Sequence, residues 1–328
     1  MDDKKKILHG IIWGIVIAVI LFGAFEFVGG YDYIKASFYT PSGEMQAIID
    51  ELDLTSHGVR VLKATGPKLS TREIFNEKCN SHNSEIYVLG CYVTQDDNIY
   101  LYDVDNEELA GVKESTTAHE LLHAYYHRLP FWEKSGLNKE LGKAYEALAS
   151  DSEIRTNLEL YGDDDFYDEL HSRLGTEVKN LSPELEKHYA KIFNDQDKIV
   201  DLYEKYSSKF KQLEKELDEI SKNIETMKIH INDETVRLET LSNDLNQKID
   251  NYNKRIESGN YTSVAAAKSE GDALKAEIDS ISRNYDDLNK YIEEYNKLID
   301  KYNNNVIQTN KILDSMNSNS ERFNNINN

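Results

Sequence analysis

Proline is nearly absent, with four residues in 328. So few helix breakers, together with 30% charged residues, favour long helices over a loop-rich chain. Cysteine is scarcer still: Cys79 and Cys91 are the only two, and they form no C-x-x-C pair, which argues against a thiolate metal site. Basic residues are also in deficit. Lys and Arg number 38 against 59 Asp and Glu, a formal net charge of −21. That balance argues against nucleic acid as a partner, because its phosphates would be repelled. It argues equally against general adhesion to anionic lipid headgroups.

One long apolar run is present. Ile7 to Val28 is interrupted only by His9, glycines and Glu26. At about 1.5 Å per residue it can span a bilayer core of about 30 Å. It is too long for the core of a signal peptide, and no small-x-small cleavage site follows it. The expectation is a cytoplasmic tail at 1–6 and a transmembrane helix at 7–29. Lys4, Lys5 and Lys6 precede the run, so the N-terminus is placed in the cytoplasm and the bulk of the chain outside, as a single-pass membrane protein. In that compartment Cys79 and Cys91 are expected to form a disulfide; two separate buried thiols are the alternative for an inverted topology.

Beyond the run, Ser42 to Leu52 reads as a helix capped by Ser42, followed by a turn at 56–58 and a strand Val59–Lys63. Ser70 to Lys78 reads as a helix capped by Ser70. Glu85–Val93 and Asn98–Val104 read as two strands of a hairpin turned at 95–97. Then Val112 to Leu129 runs without a breaker, with Ser115, Thr116 and Thr117 as candidate N-caps and Pro130 as the stop. Two more helices are expected, about Leu137–Tyr161 and about Asp165–Leu174, the second stopping at Gly175.

The stretch Thr116–His127 contains HELLH, an H-E-x-x-H motif. On a helix, residues four apart share a face, so His119 and His123 point the same way. Two imidazoles so placed can hold one Zn²⁺ at about 2.0–2.1 Å. Glu120 lies one step round from His119, placed to act as general base on a water that the metal activates. Leu121 and Leu122 would anchor the opposite side in a core. A plainer reading of so short a motif is two histidines on an ordinary buried helix.

A catalytic zinc needs a third protein ligand. The metzincin pattern would put a histidine six residues after His123, but that position is Leu129. His127 continues the same face, yet three histidines on one straight helix climb about 6 Å per step and cannot converge on one ion. It therefore reads as a residue behind the ligands or simply at the surface. A downstream carboxylate remains: Glu169 first, with Glu146 and Glu153 as rivals. Glu146 is followed by Asp151 at five residues, where a thermolysin-like pattern would have four. A solvated helix face is the plainer reading of all three.

HELLHA after the strand at Cys91-Tyr92, then DELHSRLGTE at 168–177 and LEKHYAKIFNDQDKIV at 185–200, resembles membrane-anchored bacterial zinc metallopeptidases of the gluzincin type. The resemblance covers most of the chain. More distantly, the sequence is similar to proteases of the anthrax lethal factor type, in which the zinc-binding Glu opens a short helix after a Tyr-Gly pair. Tyr161-Gly162 stands there, one residue further out. The resemblance implies Glu169 as third ligand, and Tyr161 or Tyr167 as donor to the oxyanion.

From about residue 197 apolar residues recur at 4-3 spacing, from Leu213 through Leu245 and again from Leu274 through Val306. Ser258 to Ser263 interrupts the pattern. Sustained heptads on either side of a Gly-Asn break suggest an antiparallel coiled-coil hairpin, with a continuous helix assembling between chains as the alternative. Residues 317–328, rich in Asn and Ser, read as a disordered tail.

The expected fold class is α+β: an N-terminal transmembrane helix, a small zincin-like metallopeptidase domain at 30–195, and a coiled-coil hairpin at 196–316 turning near 258–263. The expected function is extracytoplasmic zinc-dependent hydrolysis of peptide bonds in a protein or peptide substrate. His119, His123 and Glu169 hold Zn²⁺ while Glu120 and Tyr161 serve catalysis. The alternative is a non-catalytic cell-envelope protein whose coiled-coil arm is a spacer or binds a protein partner.

Overall fold

The computed structural model describes residues 13, 15, 29–79, 88–158, 162 and 165–316. The expected transmembrane segment 7–29 lies almost wholly outside the described residues, as do the 1–6 tail and residues 317–328. Among the described residues no helix is long and apolar enough to cross a membrane.

Helix α1 spans Gly30–Phe38 and α2 spans Gly43–Glu51. Ser42 caps α2 as expected, accepting from the Met45 N–H. The next segment departs from expectation. Ser56–Ala64 is a helix, α3, where a turn and then a strand were expected. Thr55 accepts from the Gly58 N–H and so starts it. Val59 and Val61 suggest a strand by side-chain type, but the buried set Gly58, Val61, Leu62 and Ala64 follows helical spacing.

Strand β1 is Lys68–Ser70, so Ser70 lies in the sheet and does not cap α4, Arg72–Cys79. Strands β2 (Gly90–Val93) and β3 (Asn98–Tyr102) form the expected antiparallel hairpin. β1 joins β3 in parallel, giving the order β1-β3-β2 with β2 at an edge.

Helix α5, Val112–Arg128, carries HELLH. Its N-cap is Gly111 in the left-handed region, so Ser115, Thr116 and Thr117 lie inside the helix. Leu129 ends it in extended backbone before Pro130, as expected. Pro130 then opens α6, Phe131–Ala147. The single helix expected for 137–161 is two: the chain leaves α6 at Leu148, and α7 covers only Glu153–Leu158. Helix α8 is Phe166–Glu177, running past Gly175, and α9 is Pro183–Tyr189. Two long helices complete the described residues, α10 (Gln196–Glu257) and α11 (Val264–Met316).

The expected α+β class with a transmembrane helix is thus corrected. The described residues are 77% helical, with one small three-stranded sheet among them. In the segment expected as a further strand, burial of one helical face against neighbouring helices overrides local β propensity.

The chain divides into two compact units. The first comprises residues 1–209 and 312–328; the second is Phe210–Lys311. In the first, α5 is the central element, with Ala118, Leu121, Leu122 and Ala124 fully buried. Leu121 and Leu122 anchor it as the motif implies. Arg128, near its end, pairs with Asp32 of α1 and Asp97 of the β2–β3 turn, which also binds Lys35 of α1. The last turn of α11 belongs to this unit: Ile312 and Met316 are buried, and Asn106 donates to Ser315 at 3.0 Å. A smaller cluster under the hairpin holds Phe75, Tyr100 and the Cys79–Cys91 disulfide.

In the second unit α10 and α11 run antiparallel. Lys248 pairs with Glu277, His230 meets Tyr291, and Asn305 donates to Glu216. Leu213, Ile220, Leu238, Leu245, Leu274 and Leu288 form the buried seam. Leu241 and Ile278, read from the heptads as seam residues, stay exposed, because a two-helix seam covers only a narrow stripe of each helix.

Candidate metal centre

Helices α5 and α8 cross at Gly175, where α8 has no room for a side chain. A Cβ on Gly175 of α8 would stand 2.5 Å from Leu122 Cδ1 and 2.6 Å from Tyr189 Cε1. That closeness brings the start of α8 against the HELLH face. His119 Nε2 and His123 Nε2 are 3.1 Å apart. Glu169 Oε2 lies 3.7 Å from His119 Nε2 and 3.4 Å from His123 Nε2.

These separations test the fit of a metal directly. Bonds of about 2.0–2.1 Å in tetrahedral geometry set neighbouring donors about 3.3 Å apart. The observed triangle brackets that value, and its 3.7 Å edge is too long for a hydrogen bond. His119, His123 and Glu169 could hold a metal ion, their donor atoms all lying within 4.8 Å of one another. The rivals Glu146 and Glu153 do not belong to this group.

Supporting residues fix each donor. Asp168 Oδ1 lies 2.9 Å from His123 Nδ1, and its Oδ2 lies 2.8 Å from His127 Nε2. A carboxylate only accepts, so both nitrogens carry protons, and His123 is left with its Nε2 lone pair facing the donor triangle. Arg173 Nε is 2.6 Å from Glu169 Oε1 and Arg173 also reaches Glu177 Oε1 at 3.0 Å. Glu169 is therefore held from behind while Oε2 faces the histidines.

The electrostatics follow this wiring. Burial disfavours the imidazolium of His119, but Glu169 outweighs it and raises the His119 pKa. Burial likewise opposes charging of His123, yet Asp168 and then Glu169 hold its pKa well above the usual range. Burial would push both carboxylates up. Instead His119, His123 and Arg173 keep Glu169 well below its ordinary value, and His123 and His127 depress Asp168. In Glu177 burial prevails over Arg173, and the carboxyl is raised.

Glu120 is 6% exposed and lies against the edge strand. A Cβ on Gly90 would meet Glu120 Cγ at 2.8 Å and Oε1 at 2.9 Å, so only glycine fits beneath that carboxylate. Glu120 also contributes to the raised pKa values of His119 and His123, which places its charge within reach of both.

Tyr161 lies outside the described residues. The Tyr167 hydroxyl faces α6, 3.7 Å from where a Gly142 Cβ would stand. A second histidine pair, His171 and His188 (Nε2–Nε2 2.9 Å), lies behind α8 among Tyr125, Tyr126 and Tyr189. Burial lowers both pKa values, that of His188 to about 4, so this pair is neutral at pH 7.

Sequence reading missed Asp168, Arg173, Glu177 and Gly90. Glu169, Arg173 and Glu177 stand at i, i+4 and i+8, an acid–base–acid ladder that was readable on one helix face. The Asp168–His123 and Gly90–Glu120 contacts have no local signal. No family model, no curated protein and no solved structure matches the chain.

Proposed function

We propose that the chain is a zinc-dependent peptidase. The observation that carries this reading is the donor triangle of His119, His123 and Glu169, with a buried second carboxylate, Glu120, one residue along α5. Two imidazoles and one carboxylate are a donor set suited to zinc and leave one coordination position open. When bound, zinc acidifies water and polarises a carbonyl.

The remaining work falls to the chain's own groups. Glu120 accepts a proton through its carboxylate and returns it to the leaving amine. Asp168 holds the His123 ring through Nδ1–H, and Arg173 orients Glu169. Among the described residues β2 is an outer strand of the sheet, alongside α5, and its outer edge would offer backbone N–H and C=O groups to an extended peptide. The Cys79–Cys91 disulfide supports placement in an oxidising, extracytoplasmic compartment.

Metal content of the purified chain and turnover of a quenched-fluorescence peptide library test this together. Near-stoichiometric zinc and chelator-sensitive cleavage are expected. Absence of both would favour the non-catalytic envelope protein with a coiled-coil arm.

A further inference from the structure

His127 sits one turn beyond His123 on the same face of α5, too far along the helix to share its ion. It is not idle. Its Nε2 lies 2.8 Å from Asp168 Oδ2, while the other oxygen of that carboxylate lies 2.9 Å from His123 Nδ1. Asp168 is 8% exposed and the His127 side chain 41% exposed. A ring contact with Tyr92 (centroids 5.6 Å apart) holds the imidazole from the other side, and the Tyr92 hydroxyl is fixed in turn at 2.9 Å by Asp97.

We propose that His127 is a positioning residue for the metal centre: its Nε2–H orients Asp168, and Asp168 then fixes the His123 ring with its Nε2 lone pair toward the ion. The proposal rests on reading the centre as a metal site. The physical reason is geometric. A carboxylate with one partner can swing about its Cβ–Cγ bond, whereas one gripped at both oxygens cannot. Acceptance from both nitrogens also selects one His123 tautomer, the one able to bind a metal through Nε2. The helical repeat makes the arrangement possible, since residues four apart point at the same carboxylate on the facing helix.

The test uses the full-length chain, with zinc affinity measured by competition against a chromophoric chelator and with the visible spectrum of the Co²⁺ form. His127→Ala is expected to weaken zinc binding about 10–100-fold, the usual range for removing such a partner, and to alter the Co²⁺ bands. Its melting temperature in chelator should stay close to wild type. His127→Gln, which keeps an N–H donor at similar reach, should restore most of the affinity. Should His127→Ala not fold, His127→Gln set against Asp168→Asn carries the comparison: the first should bind zinc nearly as wild type does and the second weakly. Affinity of His127→Ala within twofold of wild type, or equal loss in Ala and Gln variants, overturns the proposal while the metal site stands. A wild-type chain that binds no zinc overturns the metal reading itself.

Discussion

Arg173 Nε stands 2.6 Å from Glu169 Oε1, four residues earlier on α8, and both side chains are buried. The guanidinium offsets the charge of a carboxylate that also faces two imidazoles. Arg173→Met keeps the side-chain bulk but leaves Glu169 with only the two imidazoles to offset its charge. Removing one partner of a buried pair costs about 3–5 kcal/mol, measurable by urea unfolding in chelator. Zinc takes over the neutralising role, so the rise in melting temperature on adding zinc should be larger in the variant than in wild type.

Glu120→Gln removes a proton acceptor without removing a ligand. Peptide turnover should fall about 10²–10⁴-fold, with zinc content unchanged by elemental analysis. Retained turnover would reassign the base.

Gly175→Ala tests the helix crossing. The new methyl meets Leu122 and Tyr189 at 2.5–2.6 Å, so α8 must shift away from α5. A cost of about 1–3 kcal/mol is expected from overpacking, together with weaker zinc binding, because the shift moves Glu169 from the histidines. Wild-type affinity in a destabilised variant would show that the carboxylate tolerates that displacement.

How much of this was legible in the chain follows from the range of each signal. HELLH and the Pro130 stop are local, and α5 formed where they indicated. Glu169 was singled out by resemblance as well as position, and it joins the histidines where Glu146 and Glu153 do not. Val59–Lys63 belongs to a helix and not to the expected strand, because the Thr55 cap starts α3 at Ser56 and its buried residues follow helical spacing. Asp168 could not be found: its partner lies 45 residues away, and only the α5–α8 crossing brings them together.

Metal affinity should depend on pH with a definite sign. The carboxylates around them raise the pKa values of His119 and His123, so a cation competes with protons for these imidazoles further up the pH scale than at an ordinary histidine. Zinc affinity should therefore rise with pH through and above the ordinary imidazole range, by about tenfold per pH unit for each proton released. Calorimetry in buffers of different ionisation enthalpy counts those protons; a flat profile from pH 6 to 8 would contradict the wiring described.

The Cys79–Cys91 bridge closes a loop of sequence separation 12 under the β2–β3 hairpin. Reduction, or Cys79→Ser with Cys91→Ser, should cost about 3 kcal/mol by the loop-entropy estimate. The loss should be read in chelator, where metal binding does not mask it.

The most direct measurement is anomalous diffraction at the zinc absorption edge from crystals of the zinc-loaded chain. A single strong peak within about 2.2 Å of His119 Nε2, His123 Nε2 and a Glu169 oxygen is the predicted result. No peak there, or one held by other side chains with Glu169 turned away, would contradict it.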